Sequence, residues 1–197
     1  SFCSGADLAY LNEIKNYSIF ENEKDSENLA RLFLKIYKFS KPVIAAVNGA
    51  AIAGGCGLAS VCDFVIAHES DSKFGYSEVK IGFIPAIVSI FLIKKIGEGR
   101  AKRLLMTGEI INGKKAFEIG LVDYLAENIL EEAEKLANLL LLNSTQSMSA
   151  MKKLIRNVSN LNIDSAVDYC IKLNTISRNT EDFANGLTNF LNKKKGD

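Results

Sequence analysis

Residues 43–57 have the sequence VIAAVNGAAIAGGCG, and this stretch decides the fold class. Its first five residues form a continuous apolar run, which is typical of a strand covered on both faces in a parallel α/β sheet. Small residues follow from Asn48 onwards, and a helix is predicted through Leu58 to Cys62. The stretch therefore predicts a strand, a tight turn and a helix in direct succession.

Helices and strands are also predicted on both sides of this stretch. Upstream, the apolar spacing predicts a helix from Ser26 that ends before Pro42, and the polar stretch 17–25 is predicted to be a loop. Downstream, residues 64–67 form a second predicted strand, and residues 74–78 form a short extended segment. Further helical patterns follow at residues 86–96, 99–107, 113–119, 128–142, 146–157, 163–176 and 181–193.

The order of these elements divides the chain into two parts. Strands and helices alternate in residues 1–127, whereas residues 128–197 hold helices alone, so an α/β layer precedes an all-helical region. A chain of 197 residues has the length of one domain with a small appendage. A chain of that size buries about 70% of its unfolded surface, so folding requires neither a disulfide nor a metal.

The composition excludes several classes of protein. Lys and Arg number 24 and Asp and Glu number 23, so the large basic excess of a nucleic-acid-binding surface is missing. No stretch reaches the ~18 consecutive apolar residues of a membrane span, and residues 1–5 show no feature of a secretion signal. The four cysteines have no metal-ligand spacing and His68 is the only histidine, so no metal site is expected. Cysteines used as small apolar residues indicate the reducing cytoplasm.

Four glycines lie between Gly49 and Gly57, and the sequence excludes several known uses of such a turn. A triphosphate-binding loop ends in Gly-Lys-Ser/Thr, whereas Leu58 and Ala59 follow Gly57 here. The dinucleotide fingerprint Gly-x-Gly-x-x-Gly and the nucleophile elbow Gly-x-Ser-x-Gly are absent as well. Two interpretations remain: close packing of a helix on a strand, or bare N–H groups at a helix start that stabilise negative charge on a carbonyl oxygen.

A second turn of small residues, Ser4-Gly5-Ala6-Asp7, precedes the first predicted helix. One turn of this kind offers one good backbone donor. Two such turns that converge would offer two donors, which is the composition of an oxyanion hole. The sequence leaves open whether the two turns converge.

Six short blocks of sequence carry a family resemblance. They are FCSGADL at 2–8, PVIAAVNG at 42–49, AGGCGLA at 53–59, FGYSEVKIG at 74–82, GLV at 120–122 and RNTEDFANG at 178–186. In order and spacing these blocks resemble the crotonase superfamily of enoyl-CoA hydratases and isomerases. The resemblance covers nearly the whole chain.

The resemblance implies a fold, a substrate class and an assembly. The fold is a crotonase-like α/β core of ββα spiral turns, here residues 1–127, followed by a C-terminal all-helical trimerisation region at 128–197. The first strands of the core are then missing, so the acyl-CoA-binding core is truncated at its N-terminus. A homotrimer or a dimer of trimers is implied, with no cofactor beyond the coenzyme A of the substrate itself. Lys193 to Lys195 are interpreted as a solvated tail, with contact to the coenzyme A phosphates as the alternative.

The resemblance also implies the site residues. The backbone N–H groups of Ala6 and Gly54 correspond to the donors that bind the thioester oxygen, Ser4 belongs to the same substrate-binding turn, and Glu78 corresponds to the general acid/base. The family's second carboxylate maps onto Gly57, so that group is absent. Hydration of the 2,3 double bond is the preferred interpretation. A Δ3-Δ2-enoyl-CoA isomerase and a non-catalytic acyl-CoA-binding member are the alternatives.

The neighbours of Glu78 set it apart from an ordinary surface carboxylate, which is the alternative interpretation. Apolar side chains lie on both sides of it in the sequence, at Phe74, Tyr76, Val79, Ile81 and Phe83. Removal of water by such neighbours predicts a raised pKa for the Glu78 carboxyl, as a general acid/base near neutral pH requires.

Overall fold

The computed structural model describes residues 1–193, and the lysine tail from Lys194 lies outside the described residues. The strands are β1 (Ile44–Val47), β2 (Ala50–Ile52), β3 (Phe64–Ala67), β4 (Lys73–Gly75), β5 (Ile110–Asn112) and β6 (Tyr124–Leu125). The helices are α1 (Leu8–Ile14), α2 (Ile19–Tyr37), α3 (Gly54–Val61), α4 (Ala86–Ile96), α5 (Glu98–Thr107), α6 (Gly113–Glu118), α7 (Ile129–Leu141), α8 (Thr145–Val158), α9 (Ile163–Ser177) and α10 (Glu181–Lys193). A short 3₁₀ helix spans Glu78–Ile81.

The chain forms two compact units. The first comprises Ser1–Phe39 and Val43–Leu136, and the second comprises Ser40–Pro42 and the chain from Ala137 onwards. The first unit contains all the described strands together with α1 to α6. The domain division predicted at residue 127 stays a prediction.

Two three-stranded sheets form the α/β layer of the first unit. One has the strand order β1-β3-β6 and is parallel throughout. The other has the order β2-β4-β5, with β2 parallel and β5 antiparallel to β4. The apolar run at 44–47 is confirmed as a strand, but β1 lies at the edge of its sheet and its burial alternates, with Ala45 and Val47 buried and Ile44 and Ala46 only half-buried. The predicted cover on both faces is therefore wrong for β1.

Helix α3 lies in the core of the first unit because its side chains are small. Its buried positions include Gly55, Cys56, Gly57, Ala59 and Ser60. Helices α2 and α4 pack around it through Phe33 and Phe91, whose rings stack at 5.6 Å between centroids. Small residues on α3 thus let two larger helices approach it closely.

Two local predictions from the sequence are wrong. The stretch 17–25 is not a loop, because α2 already begins at Ile19. Ser18 and Glu21 form a capping box there, in which each side chain bonds the backbone N–H of the other residue. The turn after β1 also contains a strand that was not predicted, since β2 pairs with β4. Strands β5 and β6 were not predicted either.

Many apolar side chains of the helices in the second unit are exposed. All residues of α8 and α9 are described, and none of them is buried. The two helices are joined by a hydrogen bond of 3.0 Å from the Asn157 amide to the Tyr169 hydroxyl. Among the described helices of both units, none combines the length and the apolar character needed to cross a membrane.

Candidate active site

The two turns of small residues lie next to each other at the candidate site. The amide groups of Phe2 and Cys3 donate to the Ala50 carbonyl at 3.0 and 2.9 Å, and the Ile52 amide donates to the Cys3 carbonyl at 3.0 Å. Cys3 forms a parallel bridge with Ala51 of β2. The chain segments that lead into Ser4 and into Ala53 are therefore locked in register.

Gly5 shows that the two turns converge. Its φ of +93° favours glycine, and a β-carbon added there would lie 3.1 Å from the Ala53 β-carbon and 3.9 Å from the Gly54 nitrogen. The turn that holds Ser4 and Ala6, both exposed, is thus a direct neighbour of the start of α3. The convergence that the sequence left open is present in the structure.

The amide of Gly54 is available to a ligand. Gly54 is the first residue of α3, where amide groups have no acceptor within the helix, and the preceding Ala53 provides no side-chain cap. Ala53 itself has a positive φ of 54° and is held by a 2.8 Å hydrogen bond from its amide to the Gly75 carbonyl. A β-carbon added at Gly54 would have no described atom within 4 Å, so the space beside the Gly54 α-carbon is open.

Glu78 is a desolvated carboxyl at the start of the 3₁₀ helix. The residue is 8% exposed, and its Oε2 atom is buried without a hydrogen-bond partner among the described residues. Burial raises the pKa of the Glu78 carboxyl, and a hydrogen bond with its own backbone opposes this only in part. The raised pKa predicted from the apolar neighbours is confirmed, and the interpretation as a surface carboxylate is wrong.

A buried set of side chains joins α3 to the segment that carries Glu78. The Ser60 hydroxyl donates to the Cys56 carbonyl at 2.7 Å and lies 3.0 Å from the Tyr76 hydroxyl. Since Ser60 has only one proton, Tyr76 is the donor in the second bond. Burial raises the pKa of the Cys56 thiol to about 12 and the pKa of Tyr76 well above its usual value, so both side chains are neutral. This cluster has no local signal in the sequence, because Tyr76 lies outside the helix that holds Cys56 and Ser60.

The position onto which the family resemblance maps a second carboxylate is filled. A β-carbon added at Gly57 would lie 2.4 Å from Cγ1 and 2.5 Å from Cβ of Val88, and 3.3 Å from Cε1 of Phe33. Val88 is buried on α4. Packing of α4 on α3 therefore leaves no room for a side chain at Gly57.

An apolar cavity of about 310 Å³ adjoins the 3₁₀ helix. Its lining residues are Val79, Phe83, Ile84, Pro85, Ser89, Leu105 and Met106. Within the described part of the chain, no group of three or more histidine, cysteine or acidic residues lies close enough to hold a metal ion. The chemistry available at the site is therefore that of backbone donors and a carboxyl group.

The parallel strands, the glycine-rich start of α3 and the buried carboxyl define a protein of the crotonase fold class. The family model described as "Enoyl-CoA hydratase/isomerase" matches residues 1–197. The chain belongs to the enoyl-CoA hydratase/isomerase family and is an enzyme of that family. The resemblance stated from the sequence and the fold class derived from it are confirmed.

Relatives and solved structures are similar over nearly the full chain. A crotonyl-CoA hydratase of Syntrophomonas wolfei is 36% identical over 198 residues, which cover 99% of this chain and 75% of the relative. A 2,3-dehydroadipyl-CoA hydratase of Escherichia coli is 32% identical over 199 residues, which cover 100% of this chain and 76% of the relative. The crystal structure of an enoyl-CoA hydratase from Shewanella pealeana superposes with a TM-score of 0.90 at 31% identity, over 96% of this chain and 71% of that one.

Two neighbouring glycines provide a matched test of the site's packing. A β-carbon at Gly55 would lie 2.0 Å from the Cys3 carbonyl oxygen, whereas one at Gly54 meets open space. We expect Gly55→Ala to lower the free energy of unfolding by about 1–3 kcal/mol or more, because the Cys3 backbone must move. Gly54→Ala should leave the free energy of unfolding nearly unchanged. Urea unfolding measures both, and equal effects of the two substitutions would contradict the described convergence.

The desolvation of Glu78 predicts a pH-dependent stability difference. The pKa of Glu78 is raised in the folded state above the ordinary value of 4.5, so its ionisation above that folded pKa destabilises the fold. Glu78→Gln should therefore be more stable than the wild type at neutral pH, by about 1.4 kcal/mol for each unit of pKa difference. The stability difference between Glu78→Gln and the wild type should shrink as the pH falls to 4.5. Thermal unfolding across this range measures the difference, with the exposed Glu134→Gln as control, and a pH-independent gain would refute the explanation.

Proposed function

We propose that this protein is an enoyl-CoA hydratase, a lyase that adds water across the 2,3 double bond of an acyl-CoA thioester. The observation that carries the proposal is the buried carboxyl of Glu78, whose Oε2 has no partner among the described residues, on a segment bonded to the start of α3, where the space beside Gly54 is open. Such an arrangement suits a reaction that builds negative charge on one oxygen while a proton moves nearby.

The backbone amides of Ala6 and Gly54 take the role of the oxyanion hole. Attack of water at C3 converts the thioester into an enolate, whose charge collects on the carbonyl oxygen. The two turns meet at Gly5, which supports a shared oxygen between Ala6 and Gly54, with Ser4 lining the same turn. Loss of one such donor typically costs about 3 kcal/mol of transition-state stabilisation.

Glu78 takes both proton-transfer roles. As a carboxylate it accepts a proton from the water molecule whose oxygen bonds to C3, and as a carboxylic acid it gives that proton to C2. The carboxyl ends in its starting form, and one molecule of water has been added. A raised pKa brings the two forms of Glu78 closer in free energy at neutral pH, which favours both transfers.

The substrate of this reaction carries its own coenzyme A, so the proposal needs no separate cofactor. The names of the relatives, crotonyl-CoA hydratase and 2,3-dehydroadipyl-CoA hydratase, support an acyl-CoA substrate. The four free cysteines and the near-balance of charge fit an enzyme of the cytoplasm that binds a small molecule rather than a nucleic acid.

A Δ3-Δ2-enoyl-CoA isomerase is the second candidate, and the packing at Gly57 favours it. Val88 excludes a second carboxylate, and a single base is sufficient to move a proton between C2 and C4. The same Glu78 and the same two amides would serve this reaction, because it also passes through an enolate. The identity of the product separates the two candidates.

Product analysis tests the function. With crotonyl-CoA we expect 3-hydroxybutyryl-CoA, and with 3-butenoyl-CoA little shift of the double bond. A shifted double bond without hydration would replace the proposal with the isomerase, and no turnover of any short, branched or Δ3 acyl-CoA would contradict both candidates.

Glu78→Gln should lower kcat/KM by about 10²–10⁴-fold, whereas Glu134→Gln should leave kcat/KM unchanged. Gly54→Pro removes one donor at the first residue of α3, and kcat/KM should fall by about 10²–10³-fold.

We also propose a homotrimer, or a dimer of trimers, built on the second unit. The apolar residues of α8 and α9 that remain exposed in the single chain are Met151, Ile155, Ile163, Val167, Ile171 and Ile176. Amphipathic helices with no buried residue require a partner to cover their apolar side chains. Copies of the same chain are the partner implied by the family resemblance.

The oligomeric state is measured by light scattering after size-exclusion chromatography. We expect the mass of three chains or of six. Ile171→Glu places a charge among the exposed apolar residues of α9 and should dissociate the assembly. Lys172→Glu places a negative charge at a neighbouring exposed lysine of α9, which is not among these apolar residues, and it should leave the assembly intact. A monomeric wild type, or equal behaviour of the two variants, would contradict the proposal.

A further inference from the structure

We propose that Ala53 is a positioning residue, which directs the Gly54 amide towards the oxygen of the substrate and keeps the turn at residues 4–7 at a fixed distance from it. The inference rests on the proposed function, because it takes the Gly54 amide as one of the two oxyanion donors. Ala53 is assigned no contact with the reacting atoms. It acts through the backbone that carries Gly54, and this backbone is strained.

The backbone of Ala53 has a conformation that favours glycine. Its φ is 54° and its ψ is −126°, and in the described part of the chain Ala53 is the one non-glycine residue with a positive φ. This conformation costs free energy for a residue with a β-carbon, whereas glycine adopts it without strain. Backbone geometry alone would therefore favour glycine here, so the presence of an alanine points to a role for its methyl group.

Two backbone hydrogen bonds hold Ala53 in this conformation. The Ala53 amide donates to the Gly75 carbonyl at 2.8 Å, and the Gly57 amide donates to the Ala53 carbonyl at 3.1 Å. The first bond joins Ala53 to the end of β4, three residues before Glu78, and the second is the first hydrogen bond of α3. The chain therefore passes from β2 into α3 within one residue, and bonds on both sides of Ala53 maintain its strain.

The conformation of Ala53 sets the direction of the Gly54 amide. The peptide group between the two residues contains the Ala53 carbonyl and the Gly54 N–H, which point in opposite directions because this peptide bond is trans. Since the carbonyl accepts its bond from Gly57 within α3, the Gly54 N–H points out of the N-terminal end of the helix. A change in the ψ angle of Ala53 would turn both groups together. A β-carbon narrows the range of ψ, so alanine holds the donor more firmly than glycine would.

The methyl group of Ala53 also lies next to the other turn of the site. A β-carbon added at Gly5 would lie 3.1 Å from the Ala53 β-carbon, which is closer than an ordinary contact, so the Gly5 backbone is a direct neighbour of this methyl group. Gly5 immediately precedes Ala6, whose amide is the second proposed donor. The methyl group is thus a spacer between the two backbone segments that carry the donors.

Replacement of Ala53 by glycine distinguishes a positioning role from a merely structural one. Ala53→Gly relieves the strain, so the melting temperature should rise by roughly 2–6 °C. With crotonyl-CoA, kcat should fall by roughly tenfold, which is less than the loss of a whole donor would cause. KM should change little, because a misdirected donor weakens binding of the charged transition state more than binding of the neutral substrate. A merely structural residue would change the melting temperature and leave kcat as it is.

Two further variants serve as controls. Ala59→Gly removes the same methyl group from a fully buried position of α3, and it should lower the melting temperature by roughly 2–4 °C or more with kcat unchanged. Ala53→Ser retains a β-carbon and with it the restricted backbone. It should therefore retain the kcat of the wild type and show no gain in melting temperature.

The possible outcomes separate the inference from the proposed function. An unchanged kcat in Ala53→Gly, or an equal loss of kcat in Ala53→Ser, would overturn the inference and leave the proposed function intact. A melting temperature that falls in Ala53→Gly as it does in Ala59→Gly would show that the Ala53 backbone is not strained, and it would overturn the inference as well. A wild type that turns over no acyl-CoA would instead overturn the proposed function, and the inference with it.

Discussion

Residues 2 and 3 are held against β2 by three backbone hydrogen bonds, and these bonds bring the two turns of the site together. Gly55 makes the approach possible, because any β-carbon there would overlap the Cys3 carbonyl group. Gly5 completes it, because its φ is positive and a β-carbon there would crowd Ala53. The two proposed donors are thus backbone amides, and glycines allow the two turns to lie this close to each other.

The desolvated state of Glu78 depends on how the neighbouring polar groups are satisfied. The Tyr76 hydroxyl donates to Ser60, and the Ser60 hydroxyl donates to the Cys56 carbonyl, so both protons are used within the cluster. Neither proton is left for Glu78, whose Oε2 stays without a partner among the described residues. A carboxylate that accepted such bonds would have a lowered pKa, whereas this one has a raised pKa.

The sequence predicts those features that depend on nearby residues. The strand, turn and helix around Gly54 follow from local composition, and the raised pKa of Glu78 follows from its apolar neighbours. The start of α2 also had a local signal, since Ser18 and Glu21 have the spacing of a capping box, but the polar composition of that stretch obscured it. The contact between Gly57 and Val88 had no such signal, because it joins two helices whose packing only the folded chain defines.

A single carboxyl keeps the charge of the proposed site constant during the reaction. Before proton transfer the negative charge is on Glu78, and in the enolate it is on the thioester oxygen, while Glu78 is neutral. Among the described residues, burial and a backbone hydrogen bond account for the pKa shift of Glu78, and no cation contributes to it. A second carboxylate at Gly57 would add a further negative charge to a buried space, at a large desolvation cost. Val88 avoids that cost, and the two backbone amides need only stabilise one charge that moves between two atoms.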